Sequence, residues 1–193
     1  MIAWFSQEAR KNKEKFILFL DRDGVINRDS PDFVRKWEDV IIYPDAVEGL
    51  RRACGLGARL VIVSNQSGIG RGYISFEDFW DIHRKIAETF AHHNIHFSAA
   101  VYCPHHPSDS CLCRKPSPEM ILFILNVLGL SPDRSFFIGD RISDMEAASR
   151  AGCRGIMLCR NDSPDISKIL PKGEYHLASN LIEAVINIEK LLR

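Results

Sequence analysis

The sequence predicts an α/β fold in which a central parallel β-sheet carries helices on both faces. Short apolar runs bounded by Gly, Asp or Asn alternate with longer segments of helical period, which is the pattern of parallel strands joined by crossover helices. The length of 193 residues corresponds to about one domain. With 46% hydrophobic and 26% charged residues, the composition is typical of a folded domain and excludes a disordered chain.

Five apolar runs are predicted to be strands because each is short, rich in Phe, Ile, Val or Leu and bounded by turn residues. The first of them, FILFL, is apolar throughout, as expected for a strand buried on both faces. The predicted strands are residues 16–20, 59–63, 99–102, 135–138 and 155–158.

Five helices are predicted between and after these strands. Ser75 precedes one of them with Asp78 three residues later, and Ser117-Pro118 supplies a cap and a first-turn proline to another. The predicted helices are residues 45–53, 76–92, 118–128, 143–151 and 180–191. We therefore expect a single domain over residues 16–193, preceded by a short N-terminal extension, residues 1–15.

The balance of charge excludes two classes of partner. The 25 basic and 25 acidic residues leave no global field that would attract nucleic acid or an acidic lipid surface.

The densest apolar run, residues 16–20, is far shorter than the roughly 18 residues of a membrane span. At the N-terminus apolar residues precede the charges, which is the reverse of a secretory signal. We expect a monomeric, cytoplasmic protein without a nucleic-acid or membrane partner.

One segment, residues 103–116, interrupts the alternation. Its sequence, CPHHPSDSCLCRKP, has no apolar periodicity and contains three prolines, so it is predicted to be an inserted loop. The segment contains one C-x-H pair and one C-x-C pair. Their three thiols and one imidazole make a complete set of ligands for tetrahedral zinc, which predicts a structural Zn²⁺. A reduced cysteine cluster without metal is the alternative, and His106 is a possible substitute for the histidine ligand. The predicted zinc ligands are Cys103, His105, Cys111 and Cys113.

The strand at residues 16–20 delivers Asp21 and Asp23 at its carboxyl end, where Gly24 turns the chain. Ligands bind at that edge of open parallel sheets. An acid-rich turn that merely ends a strand is the simpler interpretation of this motif alone. A calcium loop does not fit, because the glycine is fourth rather than sixth and a strand leads into the motif.

The next strand ends in LVIVSNQSGIGRG, residues 60–72. Ser64, Asn65, Gln66 and glycine-rich backbone converge there on a place where an anion could sit. The segment lacks the spacing of a nucleotide P-loop and of a dinucleotide fingerprint, so neither nucleotide site is predicted.

Two further motifs complete the set. Arg114 and Lys115 precede a helix, and taken alone such a pair is most often solvated. Asp140 follows Gly139 at the end of the fourth strand, and Asp144 one turn later is explained as a capped helix start.

Together these residues resemble the haloacid dehalogenase (HAD) superfamily of phosphohydrolases, whose motifs are D-x-D-G, a Ser or Thr, a Lys and an acidic G-D-x-x-x-D. The resemblance covers nearly the whole chain, from Phe16 to about Leu158. It implies a three-layer Rossmann-like fold and catalysis through an aspartyl-phosphate.

By this resemblance Asp21 is the nucleophile, and Mg²⁺ is held by its second oxygen, the backbone carbonyl of Asp23 and the carboxylate of Asp140. Asp23 would act as general acid and then as general base, a role for which we expect a raised pKa. Ser64 and Lys115 would bind the transferring phosphoryl oxygens.

The predicted zinc loop resembles the branch that holds D-glycero-D-manno-heptose 1,7-bisphosphate phosphatases and histidinol-phosphate phosphatases, in which such a loop replaces a large cap domain. NQSGIGRG at residues 65–72 and NRDSPDF at residues 27–33 are similar to the heptose enzymes. The five residues between the two halves of the zinc set are similar to the histidinol enzymes.

The resemblance implies a small phosphorylated sugar as substrate, and removal of the 7-phosphate of the heptose is the favoured activity. Histidinol phosphate is the alternative substrate, and a zinc-stabilised binding module without catalysis is a third interpretation. Carried over by position, sugar hydroxyls would meet Asp29, Ser30 and Asp32, the phosphate side Asn65 and Gln66, and the distal anionic group Arg114.

Overall fold

A mostly parallel sheet runs through the centre of the chain. The computed structural model describes residues 1–7, 15–160 and 175–193. Its strands are β1 (Ile2–Phe5), β2 (Phe16–Leu20), β3 (Ala58–Asn65), β4 (Phe97–Cys103), β5 (Ser135–Gly139), β6 (Arg154–Leu158) and β7 (Tyr175–Ala178). The spatial order is β1-β4-β3-β2-β5-β6-β7, and every pair is parallel except β1 with β4.

Helices cover the sheet on both sides. They are α1 (Pro44–Leu56), α2 (Ser67–Gly70), α3 (Phe76–Ala91), α4 (Glu119–Leu128), α5 (Ile142–Arg150) and α6 (Leu181–Leu191). Short 3-10 turns lie at Trp37–Asp39, Pro107–Asp109 and Pro132–Arg134. At the start of α3 the Ser75 hydroxyl accepts a hydrogen bond from the backbone N–H of Asp78 at 3.0 Å, as the sequence signal predicts.

Residues of β2 face two separate cores in alternation. Leu18 and Leu20 belong to the core under α1, α3 and α6, whereas Ile17 and Phe19 belong to the core under α4 and α5. All five residues of β2 are buried, which explains why the strand is apolar throughout rather than alternating. The predicted three-layer α/β fold is confirmed, and no helix in the described ranges is long and apolar enough to span a membrane.

The five predicted strands and five predicted helices are present, with ends that differ from the prediction by at most three residues. Three elements were not predicted: β1, α2 and β7. β1 and β7 are four-residue edge strands with partly exposed side chains, so they lack the apolar run that identifies a buried strand. Residues 2–5 of the predicted N-terminal extension thus pair with β4 as part of the sheet, and residues 8–14 lie outside the described ranges.

Candidate active site

Three neighbouring strands bring the predicted motifs to one edge of the sheet. Asp21 follows β2, Ser64 lies near the end of β3, and Asp140 follows β5. Because β2 lies between β3 and β5, these side chains meet although they are far apart in sequence. Lys115 joins them from the loop after β4.

Lys115 is the buried cation of this edge, with 3% of its surface exposed. Its Nζ lies 2.9 Å from Oδ2 of Asp21 and 2.7 Å from Oδ1 of Asp144, and it donates a 3.0 Å hydrogen bond to the carbonyl of Val63. Burial alone would lower the pKa of Lys115, but the charges of Asp144 and Asp21 raise it above its usual value. Lys115 is therefore a charged part of the site and not a solvated surface residue.

Three carboxylates crowd around this cation. One oxygen from each of Asp21, Asp140 and Asp144 lies within 4.8 Å of the others. Burial, together with the charges of Asp21 and Asp144, raises the pKa of Asp140 to about 8. Oδ1 of Asp140 is buried and has no hydrogen-bond partner in the described part of the chain. A hard cation would relieve the repulsion and satisfy that oxygen, so these residues fit a magnesium ion.

Asp144 is the site residue that sequence reasoning missed. Its predicted capping role is present, because its Oδ2 accepts a 3.1 Å hydrogen bond from the backbone N–H of Arg141 at the start of α5. The same fully buried carboxylate also pairs with Lys115. The four-residue spacing after Asp140 was the sequence signal that could have identified it. Asp144 was missed because capping α5 was a sufficient local explanation for this residue, although it also pairs with Lys115.

Gly24 allows the acidic strand ends to approach each other. It adopts φ +83°, and a Cβ at this position would lie 2.1 Å from Oδ2 of Asp140. Any other residue would strain the backbone and displace the carboxylate. The glycine after the two aspartates is therefore required by the site as well as by the turn.

Asp23 is surrounded by donors. Its Oδ1 accepts hydrogen bonds from Nε of Arg22 at 3.1 Å and Nδ2 of Asn27 at 2.8 Å, and its Oδ2 from Nη2 of Arg22 at 3.0 Å and Nε2 of Gln66 at 2.7 Å. Burial alone would raise the pKa of Asp23, but the Arg22 charge and these hydrogen bonds lower it below its usual value. The expected rise in this pKa is therefore wrong, because the neighbour of Asp23 is a guanidinium and not a second carboxylate.

The polar residues at the end of β3 divide into two roles. Gln66 donates to Oγ of Ser64 at 3.1 Å as well as to Asp23, so it links the serine to the acid. Both amide atoms of Asn65 contact the backbone of Lys115, at 3.2 Å and 3.1 Å. Asn65 thus positions the lysine and also lines the cavity at this edge, and its predicted place on the phosphate side stays a prediction.

A cavity of about 400 Å³ opens above these groups. Asp29, Ser30 and Arg114 line it, as the sequence predicts for residues that meet a sugar and its distal anionic group. Asp32 is exposed and does not line it; its carbonyl accepts a hydrogen bond from Arg35 at 2.8 Å. A larger groove of about 1310 Å³ along α3 and β1 contains none of the site carboxylates.

Two further arginines line the cavity and were not predicted. Arg71 is exposed after the glycine turn, and Arg141 pairs with Asp29 at 2.7 Å. With Arg22 and Arg114 they make four arginines in the cavity lining, which suits an anionic group in the ligand.

The cysteine loop gathers its four predicted ligands. Sγ of Cys111 lies 3.5 Å from Sγ of Cys103 and 4.0 Å from Sγ of Cys113, and Nδ1 of His105 lies 3.6 Å and 3.3 Å from Cys103 and Cys113. A tetrahedral zinc ion with bonds of about 2.3 Å would separate two sulfurs by about 3.8 Å. The four side chains therefore fit a zinc ion. His106 instead accepts a hydrogen bond from the backbone of Ser108 and is outside the cluster.

This loop packs directly on the glycine turn after β3. The backbone N–H of Gly70 donates to the carbonyl of Pro104 at 2.8 Å, and a Cβ on Gly70 would lie 2.5 Å from the backbone nitrogen of His106. Arg114 reaches back to donate to the carbonyl of His105. The cysteine cluster is thereby coupled to the position of Arg114 and Lys115, which follow Cys113 in the chain.

Comparison with known proteins places this geometry in a family. A HAD-hydrolase-like family model matches residues 112–184. The D-glycero-β-D-manno-heptose-1,7-bisphosphate 7-phosphatase of Pseudomonas aeruginosa is 36% identical over 158 residues, covering 81% of this chain and 89% of that protein. The chain belongs to the heptose-1,7-bisphosphate 7-phosphatase family of HAD-like hydrolases.

Other members of the heptose-1,7-bisphosphate 7-phosphatase family match over similar lengths. The D-glycero-α-D-manno-heptose-1,7-bisphosphate 7-phosphatase of Mycobacterium tuberculosis is 36% identical, covering 78% of this chain and 83% of that protein. A crystal structure of D,D-heptose 1,7-bisphosphate phosphatase from B. bronchiseptica, complexed with magnesium and phosphate, superposes with a TM-score of 0.83 at 29% identity, covering 91% of this chain and 99% of that one. The predicted resemblance to HAD phosphatases is confirmed.

Proposed function

We propose that this chain is a magnesium-dependent phosphatase that removes the 7-phosphate of D-glycero-D-manno-heptose 1,7-bisphosphate. The observation that carries the proposal is the buried contact of Lys115 with both Asp21 and Asp144 at the open edge of the sheet. A carboxylate, a cation and an acid cluster that fits a metal beside the cavity support the proposal, as do the relatives named for this activity.

The carboxylate of Asp21, the backbone carbonyl of Asp23 and the carboxylate of Asp140 would hold magnesium, and Asp144 supplies a third carboxylate to the cluster. Magnesium bound there supplies positive charge that offsets the repulsion between an anionic nucleophile and a phosphate ester. The oxygen-only donor set and the raised pKa of Asp140 support this assignment.

In the first step an oxygen of Asp21 attacks phosphorus, the ester P–O bond breaks, and Asp23 gives its proton to the departing sugar oxygen. The donors around Asp23 favour its ionised form, so Asp23 must first take this proton from the incoming phosphate monoester or from water. The negative charge of the bound phosphate favours that uptake. In the second step water attacks the aspartyl-phosphate, Asp23 accepts a water proton, and the Asp21–phosphorus bond breaks to release inorganic phosphate.

The remaining residues hold the reacting groups in place. Lys115 restrains the Asp21 carboxylate and, with the Ser64 hydroxyl, binds phosphoryl oxygens. Asp29 and Ser30 meet sugar hydroxyls, and the Arg114 guanidinium binds the phosphate that is not transferred. Zn²⁺ held by the cysteine loop is structural, because all four positions of a tetrahedral site are filled by side chains of this chain.

A phosphate-release assay tests the proposal. The purified protein is given heptose 1,7-bisphosphate or histidinol phosphate, each with and without magnesium. We expect magnesium-dependent release with a kcat/KM at least about 10-fold higher for the heptose. A preference for histidinol phosphate, which the short spacing in the cysteine loop would then explain, overturns the substrate assignment. Folded protein that releases phosphate from neither compound overturns the enzymatic assignment.

A further inference from the structure

Arg22, between the two aspartates of the D-x-D motif, is an unusual residue for the interior. Only 1% of its surface is exposed, and it is among the largest fully buried side chains of the described chain. Its Nε and Nη2 donate to the two oxygens of Asp23 at 3.1 Å and 3.0 Å, so the guanidinium forks onto one carboxylate. Such a bidentate contact fixes the carboxylate plane as well as its position.

Stability of the fold does not by itself account for a charge here. Removing a guanidinium from water costs several kcal/mol, and buried ion pairs replaced by apolar residues of similar volume are often neutral or stabilising. Nη1 of Arg22 is buried without a hydrogen-bond partner in the described ranges, so part of the guanidinium is not even satisfied. The benefit of Arg22 must therefore be sought in what it does to Asp23.

The second pair of donors on Asp23 comes from side chains with other contacts. Asn27 also donates to the carbonyl of Arg28 at 2.9 Å, and Gln66 also donates to Ser64. Arg22 makes its only ion pair among the described residues with Asp23. The charge of Arg22 also acts on His83 and Tyr102, which are joined to each other at 2.8 Å, and it lowers the pKa of His83. Nothing described competes with Asp23 for the fork of Arg22.

We propose that Arg22 is a positioning residue that holds the Asp23 carboxyl group in the orientation from which it delivers a proton to the leaving sugar oxygen. This inference rests on the proposed function, in which Asp23 is the general acid. The backbone N–H of Arg22 donates to Oδ1 of Asp21 at 2.7 Å, whichever side chain stands at this position. The guanidinium acts through the orientation of the Asp23 carboxyl group. In the first step its contribution is therefore confined to substrates whose leaving group needs a proton.

Two substrates separate this role from a structural one. The heptose 7-phosphate has an alkyl leaving group, which needs the proton, whereas p-nitrophenyl phosphate releases a phenolate that is stable without one. The quantity to compare is kcat/KM, because it reports the step in which the ester bond breaks. We expect Arg22→Met, which keeps an unbranched side chain and removes the fork, to lower kcat/KM about 100-fold for the sugar and less than about 3-fold for the aryl ester.

Arg22→Lys keeps the charge and loses the bidentate geometry. We expect its loss of kcat/KM, relative to the wild type, to be about 10-fold larger for the sugar than for the aryl ester. If Arg22→Met does not fold, the two-substrate comparison with Arg22→Lys tests the positioning role of Arg22. Arg59→Met is the matched control, because Arg59 is another buried arginine of the sheet, with 2% exposure, outside the active site. We expect Arg59→Met to change kcat/KM by the same factor for both substrates.

Equal losses on both substrates for the Arg22 variants, or wild-type activity of Arg22→Lys on the sugar, overturn the inference. Asp23→Asn distinguishes this failure from failure of the proposed function. If Asp23→Asn loses activity equally on both substrates, Asp23 is not the general acid and the proposed mechanism is wrong. If Asp23→Asn loses more kcat/KM on the sugar than on the aryl ester and the Arg22 variants do not, the mechanism stands and only the role of Arg22 is overturned.

Discussion

The cysteine loop and the acidic strand ends are both clusters that fit a cation, but they are assembled in opposite ways. The cysteine cluster draws its four ligand side chains from eleven consecutive residues, Cys103 to Cys113. The acidic cluster draws Asp21 from the end of β2, and Asp140 and Asp144 from the end of β5 and the first turn of α5. β2 and β5 are adjacent only in the folded sheet. One cluster is local and the other depends on tertiary structure.

Both clusters face the same electrostatic difficulty. Burial raises the pKa of the Cys103 thiol to about 12, and burial with neighbouring carboxylates raises the pKa of Asp140 to about 8. Each group therefore resists losing its proton unless a cation is bound. The comparison teaches that a local cluster can be identified from spacing, whereas a distributed one needs the strand order as well.

The largest expected effect lies in the acidic cluster. Asp21→Asn keeps the shape of the side chain but removes the nucleophile, so we expect kcat to fall at least about 10⁴-fold. Zinc content should stay unchanged, because the cysteine cluster does not use Asp21. Asp81→Asn, on the exposed face of α3, is the control and should retain activity. Turnover that survives Asp21→Asn would contradict the nucleophile assignment.

Loss of one cysteine ligand should affect stability first. Binding of structural zinc contributes about 10 kcal/mol or more to folding in small domains, so we expect Cys111→Ser to lower the free energy of unfolding by several kcal/mol. Metal analysis should fall from about one zinc per chain to well below it. Cys54→Ser, outside the loop, should leave the zinc content unchanged. An unchanged zinc content in Cys111→Ser would show that the cluster does not bind zinc as proposed.

The next largest expected effect is the dependence of folding stability on pH that arises from His83. Tyr102 directly precedes the ligand Cys103, and its hydroxyl lies 2.8 Å from Nδ1 of His83. The ring of Trp4 packs edge-on against the imidazole. Burial, and then the charge of Arg22, lower the pKa of His83 to about 4.

Because the unfolded chain binds a proton at about pH 6.5 and the folded chain only near pH 4, the stability from neutral His83 is fully present above about pH 6.5. It is lost as the pH falls through that window, by about 3 kcal/mol in total. Urea unfolding at about pH 7 and about pH 5 measures it, and His83→Gln should lose less stability between the two. Equal losses in both proteins would contradict a neutral, buried His83.

The smallest predicted effect concerns Asp144. We expect Asp144→Asn to raise the magnesium concentration for half-maximal activity by about 10- to 100-fold, because one carboxylate leaves the cluster while Asp21 and Asp140 remain. Asp133→Asn, on an exposed turn before β5, should not shift the magnesium titration. An unshifted titration of Asp144→Asn would mean that this carboxylate serves only Lys115 and the start of α5.

Much of the site could be predicted from the sequence because its residues follow buried strands. The apolar runs identified β2, β3 and β5, and the polar residues directly after them identified Asp21, Ser64 and Asp140. Asp144 was missed because its capping role was a sufficient local explanation. The edge strands β1 and β7 were missed because each has only four residues, most of them at least partly exposed, and so lacks an apolar run.

The sequence by itself determined the fold class, the motif residues and the four members of the cysteine cluster, since these depend on apolar period and on spacing along the chain. Only the tertiary structure decided how those residues are used. It set the guanidinium of Arg22 against Asp23, turned Asn65 toward the backbone of Lys115 and left Asp32 outside the cavity. The orientation and pKa of a buried polar group depend on which charges and donors surround it, and the surrounding groups come from distant parts of the chain.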